Sequence, residues 1–362
     1  MAGFRSTRAI LAMWAMLGTG VAAQTVGSDG TVHAPAISIP ESALLSAETR
    51  AQLDRQRNPP PASMPGAAPR TCPSMAGAPP ARIPEIRACE AEAFYESPAY
   101  ARLKALYDVA IDQRSIGGVP VETFTPGNGV AAKNRKRVLI NLHGGAFLGG
   151  ARTLSRVESM PIAALGRIKV ISIDYRQGPD FTFPAASVDV VAVYRELLKE
   201  YSPGDIGIYG CSAGGLLTAQ SVARLIEERL PLPAAIGMLC EGGVYWTEGD
   251  SSRFVHDTSQ HTIATNPYFK GTSASDPLAF PARSDALLAR FPPSLLVSST
   301  RDFALSSTVY THSRLVARKV EAELHIWEGL SHAFHMDPDL PESKEVYSVV
   351  VRFFDRRLGK RM

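Results

Sequence analysis

From about residue 99 onward, apolar and polar positions alternate in blocks. Short apolar runs at 138–142, 170–174, 206–209, 235–239 and 295–299 are bounded by polar residues, glycine or proline, and 323–327 alternates like a strand. Runs of this length, rich in valine, isoleucine and leucine, are the signature of strands buried on both faces. Between them lie helix-like stretches at 188–200, 215–226 and 309–320. This order predicts an α/β fold with a mostly parallel sheet covered by helices on both sides. A helix near 99–110 and a strand near 119–124 precede it, with Gly117 and Gly118 at a turn between them. Residues 244–291 are irregular. No internal repeat is visible, and the pattern predicts one domain over 94–362. Upstream, 24–93 is a proline-rich extension with room for one short helix at 42–57.

The strand at 206–209 runs into Gly210-Cys211-Ser212-Ala213-Gly214 and then a helix. Small residues let the chain turn tightly there, and a serine so held projects its hydroxyl above the sheet, at a helix N-terminus that favours developing negative charge. Ser212 is therefore a candidate nucleophile. It needs a base, and the base needs an orienting carboxylate. Asp302 follows the strand 295–299, and His332 follows the strand 323–327, so both sit at the carboxyl edge where α/β sheets bind ligands. Asp302 could instead cap the helix beginning near Leu305. Among the 8 histidines, His312 falls in a helix and His325 in a strand, while His335, on the same loop as His332, is the closest rival. Glu241 is a fallback for the carboxylate. The strand 138–142 ends in His143-Gly144-Gly145-Ala146-Phe147, whose glycines allow amides to face a substrate; Gly144 and Gly145, with Ala213, are the expected oxyanion donors.

These segments resemble the hormone-sensitive-lipase-like branch of the α/β-hydrolases, which holds many bacterial esterases. The resemblance runs from about Ser97 to the C-terminus. It is carried by His143-Gly144-Gly145-Ala146-Phe147, Asp174-Tyr175-Arg176 with Pro184-Ala185-Ala186, Gly210-Cys211-Ser212-Ala213-Gly214-Gly215, Asp276-Pro277-Leu278-Ala279, Arg301-Asp302 and Gly329-x-x-His332-x-Phe334. It implies the α/β-hydrolase fold, with an N-terminal cap, and a Ser-His-Asp esterase without cofactor. One position departs from the family, which commonly has aspartate, glutamate or threonine before the serine. Here Cys211 stands there, expected to be a buried structural residue that leaves the reaction in place and substrate preference open.

Arg5 and Arg8 precede the apolar run 9–17, and Val21-Ala22-Ala23 suits signal-peptidase cleavage, so residues 1–23 read as a cleaved signal and the mature chain as secreted or periplasmic, without a stable membrane span. Its removal lowers the formal charge of +3 by two, which points to no strong electrostatic partner and disfavours nucleic-acid binding. Cys72 and Cys89 could pair and pin the extension, Cys211 and Cys240 are expected buried and reduced, and no metal-ligand spacing is present. His256, Phe254, Tyr268, Phe269, Phe280 and Phe291 are candidates for an acyl or alcohol pocket, or for plain aromatic packing.

The function expected is a secreted carboxylic-ester hydrolase acting through Ser212, His332 and Asp302 on small or medium acyl esters, its partner a small-molecule ester. Amide, carbamate, lactone or polymer-ester hydrolysis on the same triad is the alternative, and a non-catalytic binding protein on a hydrolase scaffold the other.

Overall fold

The computed structural model describes residues 24–34, 38–58, 71–75, 78–254 and 261–360; the expected signal at 1–23 and His256 lie outside them. The chain divides into two compact units, 1–43 and 44–362. In the first, Thr25–Val26 pairs antiparallel with Val32–His33.

The second unit is built on eight strands, β1 (Val109–Ile116), β2 (Val119–Pro126), β3 (Val138–Leu142), β4 (Lys169–Ile173), β5 (Ile206–Cys211), β6 (Ala235–Leu239), β7 (Ser294–Arg301) and β8 (Ala322–Ser331). They lie side by side in the order β8-β7-β6-β5-β3-β4-β2-β1. The β1–β2 and β2–β4 pairs are antiparallel and the rest parallel. This is the mostly parallel sheet that the apolar blocks predict.

Successive side chains of a strand point to opposite faces, and the two faces carry separate cores. Ile140, Ile208, Ile236 and Leu296 pack with α5 (Ala185–Leu197) and α6 (Ala213–Glu227). Leu139, Tyr209, Leu295 and Val297 pack with α3 (Pro98–Leu106), α4 (Leu154–Gly166) and α8 (Pro341–Arg357). Each fully buried side chain of this size contributes about 2 kcal/mol, so the sheet is the rigid platform from which the site loops spring. A further helix, α7 (Leu305–Ala317), follows β7.

Three boundaries differ from the sequence expectation. The helix near 99–110 stops at Leu106, and β1 begins at Val109, because the hairpin through Gly117 and Gly118 pairs β1 with β2 along its whole length. The last strand extends past Trp327 to Ser331, whose partner is Arg301, so His332 stands directly at a strand end. The extension expected over 24–93 is divided, since residues from Leu44 belong to the main body. There α1 (Ala47–Arg57) starts from the Ser46 cap, and Thr49 Oγ1 donates to the Glu342 carboxylate at 2.6 Å. On α2 (Ile83–Glu96), Cys89 is disulfide-bonded to Cys72, Arg87 Nη2 donates to the Gly178 carbonyl at 2.7 Å, and Tyr95 Oη donates to the Arg152 carbonyl at 2.7 Å. Among the described residues, no helix is long and apolar enough to cross a membrane.

Candidate active site

At the end of β5 the chain turns through Ser212 with φ 56° and ψ −124°, and α6 begins at the next residue. A non-glycine residue in this region stores about 1–3 kcal/mol of strain, held by the packing around it. Two glycines make the turn possible. A Cβ on Gly210 would lie 2.1 Å from the Leu142 carbonyl oxygen, and one on Gly214 only 1.7 Å from it. The Ser212 amide donates to the Leu239 carbonyl at 2.8 Å, which ties the turn to β6.

Ser212 Oγ lies 2.9 Å from His332 Nε2, and His332 Nδ1 lies 2.7 Å from Asp302 Oδ1. Asp302, fully buried, accepts at Oδ1 from the Ala304 amide and at Oδ2 from Ser298 Oγ, both at 2.8 Å. The two readings of Asp302 thus coexist, since the same carboxylate caps the turn into α7 and meets the histidine. The Phe303 ring stacks on the His332 imidazole at 4.2 Å and limits its rotation. The serine, imidazole and carboxylate put forward from the sequence are therefore brought into one hydrogen-bonded series.

His335, the rival base, is buried between Cys240, whose Sγ is 3.9 Å from its Nδ1, and Tyr347, whose hydroxyl donates to its carbonyl. Glu241, the fallback carboxylate, is also buried and accepts from the Gly242 amide at 2.9 Å. Cys211 Sγ, Cys240 Sγ and a ring nitrogen of His335 lie within 4.8 Å of one another, a proximity their sequence spacing does not reveal. Both cysteines are free, and burial pushes the Cys211 thiol up, towards a neutral packed sulfur.

The loop after β3 requires a correction. Gly144 was expected to be an oxyanion donor, yet its amide is donated to Glu158 Oε1 at 2.8 Å, leaving that N–H pointed at a carboxylate. Among the described residues, the amides of Gly145, Ala146 and Ala213 donate to no protein acceptor. Gly145, with φ 109°, has no room for a Cβ, which would fall 2.3 Å from the Gly149 carbonyl oxygen. Its own carbonyl accepts from the Leu148 and Gly149 amides, closing the loop. Ala146 and Phe147 are also held at positive φ, 54° and 62°. The donor set available to an oxyanion is Gly145, Ala146 and Ala213.

Two buried groups behind this loop were given no role of their own in the sequence reading. His143 stacks on Tyr175 at 4.3 Å and its Nδ1 is 2.8 Å from the Gly144 carbonyl. Burial holds its pKa down to about 4, and that of His335 likewise to about 4. The folded state therefore binds these protons less tightly than the unfolded chain. Each histidine adds stability that is present above the ordinary imidazole value of about 6.5 and is lost as pH falls through about 4. In an NMR titration both rings stay neutral from pH 8 to 5; a transition near 6.5 would contradict this. The second group is Glu158 on α4, also buried, which accepts from Asn141 Nδ2 at 2.9 Å and from the Cys211 amide at 3.3 Å.

The aromatic residues of 244–291 divide. Tyr268, Phe269 and Phe280 are fully buried and pack with Phe147 and Tyr245, so they form core behind the loop and present no open wall to a substrate. Phe291 is buried too, whereas Phe254 is exposed.

Residues 139–336 match the family model of the alpha/beta hydrolase fold, a span that includes the loop after β3, the elbow, Asp302 and His332. An acetyl-hydrolase of Streptomyces hygroscopicus is 28% identical over 260 residues, covering 68% of this chain and 86% of that protein. Among solved structures, esterase E25 superposes with a TM-score of 0.74 at 28% identity, covering 90% of this chain and 98% of that one. An esterase from the bacterial hormone-sensitive lipase family superposes with a TM-score of 0.69 at 28% identity, covering 78% and 94%. With the fold, the matched model and these relatives in agreement, the chain belongs to the α/β-hydrolase family, in its hormone-sensitive-lipase-like esterase branch.

Proposed function

We propose that this chain is a serine carboxylic-ester hydrolase acting on small to medium acyl esters through an acyl-enzyme. The observation that carries the reading is the series Ser212 Oγ, His332 Nε2 and Nδ1, Asp302 Oδ1, at 2.9 and 2.7 Å. His332 takes the hydroxyl proton as Ser212 attacks the ester carbonyl, and Asp302 fixes the imidazole tautomer and stabilises the imidazolium. The oxyanion is received by the amides of Gly145, Ala146 and Ala213, the last at the positive end of α6. His332 then returns the proton to the leaving alcohol, and water, activated by the same imidazole, releases the acid. Relatives named esterase and acetyl-hydrolase support the ester class.

The test is the turnover of matched esters and anilides, with para-nitrophenyl esters graded by acyl length. Esters are turned over orders of magnitude faster than the anilides, and the profile peaks at short or medium chains. Equal or faster anilide cleavage would make the protein an amidase, and no turnover of either would favour a binding role.

Export is proposed on residues 1–23, whose two arginines, apolar run and small residues form a cleavable signal, and the Cys72–Cys89 disulfide suits an oxidising compartment. N-terminal sequencing of the exported protein yields Gln24 as the first residue; retention of Met1 would overturn it.

A further inference from the structure

We propose that Glu158 is a positioning residue of this site: its carboxylate ties the loop after β3 to the strand end beneath the nucleophile, and so sets where the Gly145 and Ala146 amides stand relative to Ser212. The proposal rests on the ester-hydrolase reading.

The two oxygens of Glu158 serve two different segments. Oε1 accepts from the Gly144 amide at 2.8 Å, at the root of the oxyanion loop. Oε2 faces the Cys211 amide at 3.3 Å, one residue before the nucleophile. The ladder explains why a side chain is needed there. Leu142, the last residue of β3, is the register partner of Gly210, so the chain leaves the sheet as β5 reaches Cys211. A rigid, planar carboxylate takes over from the missing strand and spaces loop and elbow at a fixed separation.

The carboxylate is itself oriented from behind. Asn141 Nδ2 donates to Oε2 at 2.9 Å, and Asn141 Oδ1 accepts from Ser172 Oγ at 2.7 Å. The fit is close on the front side as well. A Cβ built on Gly144 would lie 3.5 Å from Glu158 Oε1, 3.5 Å from Ser212 Cβ and 3.1 Å from the Cys211 carbonyl oxygen. Loop, carboxylate and nucleophile therefore share one contact, and a shift of the first moves the amides that follow it.

Packing alone does not call for a charge here. Glu158 is 4% exposed, and its hydrogen-bond donors are two backbone amides and one side-chain amide, none of them a cation. An apolar side chain of similar size would fill the space without the cost of desolvating a carboxylate. What it could not do is accept from two chain segments at once. Burial pushes the Glu158 carboxyl up, against the ionised form, while the three N–H groups aimed at its two oxygens favour the carboxylate and hold it down.

The experiment compares wild type with Glu158→Gln after wild type has been shown to take an organophosphonate label at Ser212. Absence of that label defeats the ester-hydrolase reading itself, separately from the role of Glu158. Glutamine keeps the size and one acceptor, but its NH2 must face one of the N–H groups that the carboxylate accepts. The expected result is a kcat about 10- to 100-fold lower, as for a slight misplacement of catalytic groups, with KM for a short para-nitrophenyl ester near the wild-type value. The affinity for a boronic-acid transition-state analogue falls by the same factor, which a merely structural role would not produce. A wild-type kcat, or a lower kcat with unchanged analogue affinity, overturns the proposal. Should the variant not fold, amide hydrogen exchange in the wild type decides: Gly144 is protected while Gly145 and Ala146 exchange freely, and a Gly144 amide that exchanges as fast as its neighbours overturns it.

Discussion

Replacement of Ser212 by alanine abolishes ester hydrolysis, by a factor on the order of a million in kcat, with the residual rate coming from the oxyanion donors and binding alone. The size follows from the site's construction. No other hydroxyl is placed against His332 Nε2 at 2.9 Å, among the described residues, and the strained turn that presents it has no second serine to offer. A loss of this size is about 8 kcal/mol of transition-state stabilisation. Folding is little affected, because the strain at φ 56° belongs to the backbone and alanine keeps it, and the Ser212 amide bond to Leu239 is untouched. The check is initial-rate kinetics on para-nitrophenyl acetate beside a thermal melt. A residual rate within tenfold of wild type would remove Ser212 from the chemistry.

The second large effect is at Asp302. Asp302→Ala is expected to cost about four orders of magnitude in kcat, since the imidazole loses both its orienting acceptor and the charge that stabilises its protonated form. It also leaves Ser298 Oγ and the Ala304 amide without their partner, worth about 1–3 kcal/mol each when buried. Asp302→Asn should cost less. Oδ1 serves the Ala304 amide as well as His332 Nδ1, so the asparagine carbonyl stays at that corner, and its NH2 turns to Ser298, whose hydroxyl can accept. The tautomer survives and only the charge is lost. Steady-state kinetics on the two variants check this, and equal rates for alanine and asparagine would show that the acceptor at Oδ1 is not what orients the ring.

Much of the scaffold and the line of the site was legible because it rests on local rules. Strands buried on both faces are near-continuous apolar runs, which marks β3 to β7, and a tight strand-to-helix turn must use glycine where Gly210 and Gly214 pass the Leu142 carbonyl. Strand-end position put Asp302 and His332 forward, and the two line up with Ser212 in space, where His335 and Glu241 do not. What was not legible depends on contacts between segments distant in sequence. Gly144 looked like a donor because glycine beside glycine reads the same whether the amide is free or taken. What takes it is a glutamate on a helix, a residue that a sequence pattern assigns to solvent. An asparagine amid the apolar residues of β3, Asn141, was the one available hint of a polar group behind the sheet end. Tyr268 and Phe269 could not be sorted between pocket and core, since aromatic composition is the same in both. The end of the helix near residue 106 was blurred because the segment after it becomes a strand only by pairing with β2.

The central claim, that the hydroxyl at position 212 is the attacking nucleophile, is tested most directly by covalent capture. The folded wild-type protein is treated with diethyl para-nitrophenyl phosphate, digested, and the added mass located by peptide sequencing in the mass spectrometer. The account predicts one adduct, on Ser212, formed together with complete loss of esterase activity and absent in Ser212→Ala. An adduct on a different residue with activity lost in step, or full inactivation with position 212 unmodified, would contradict it.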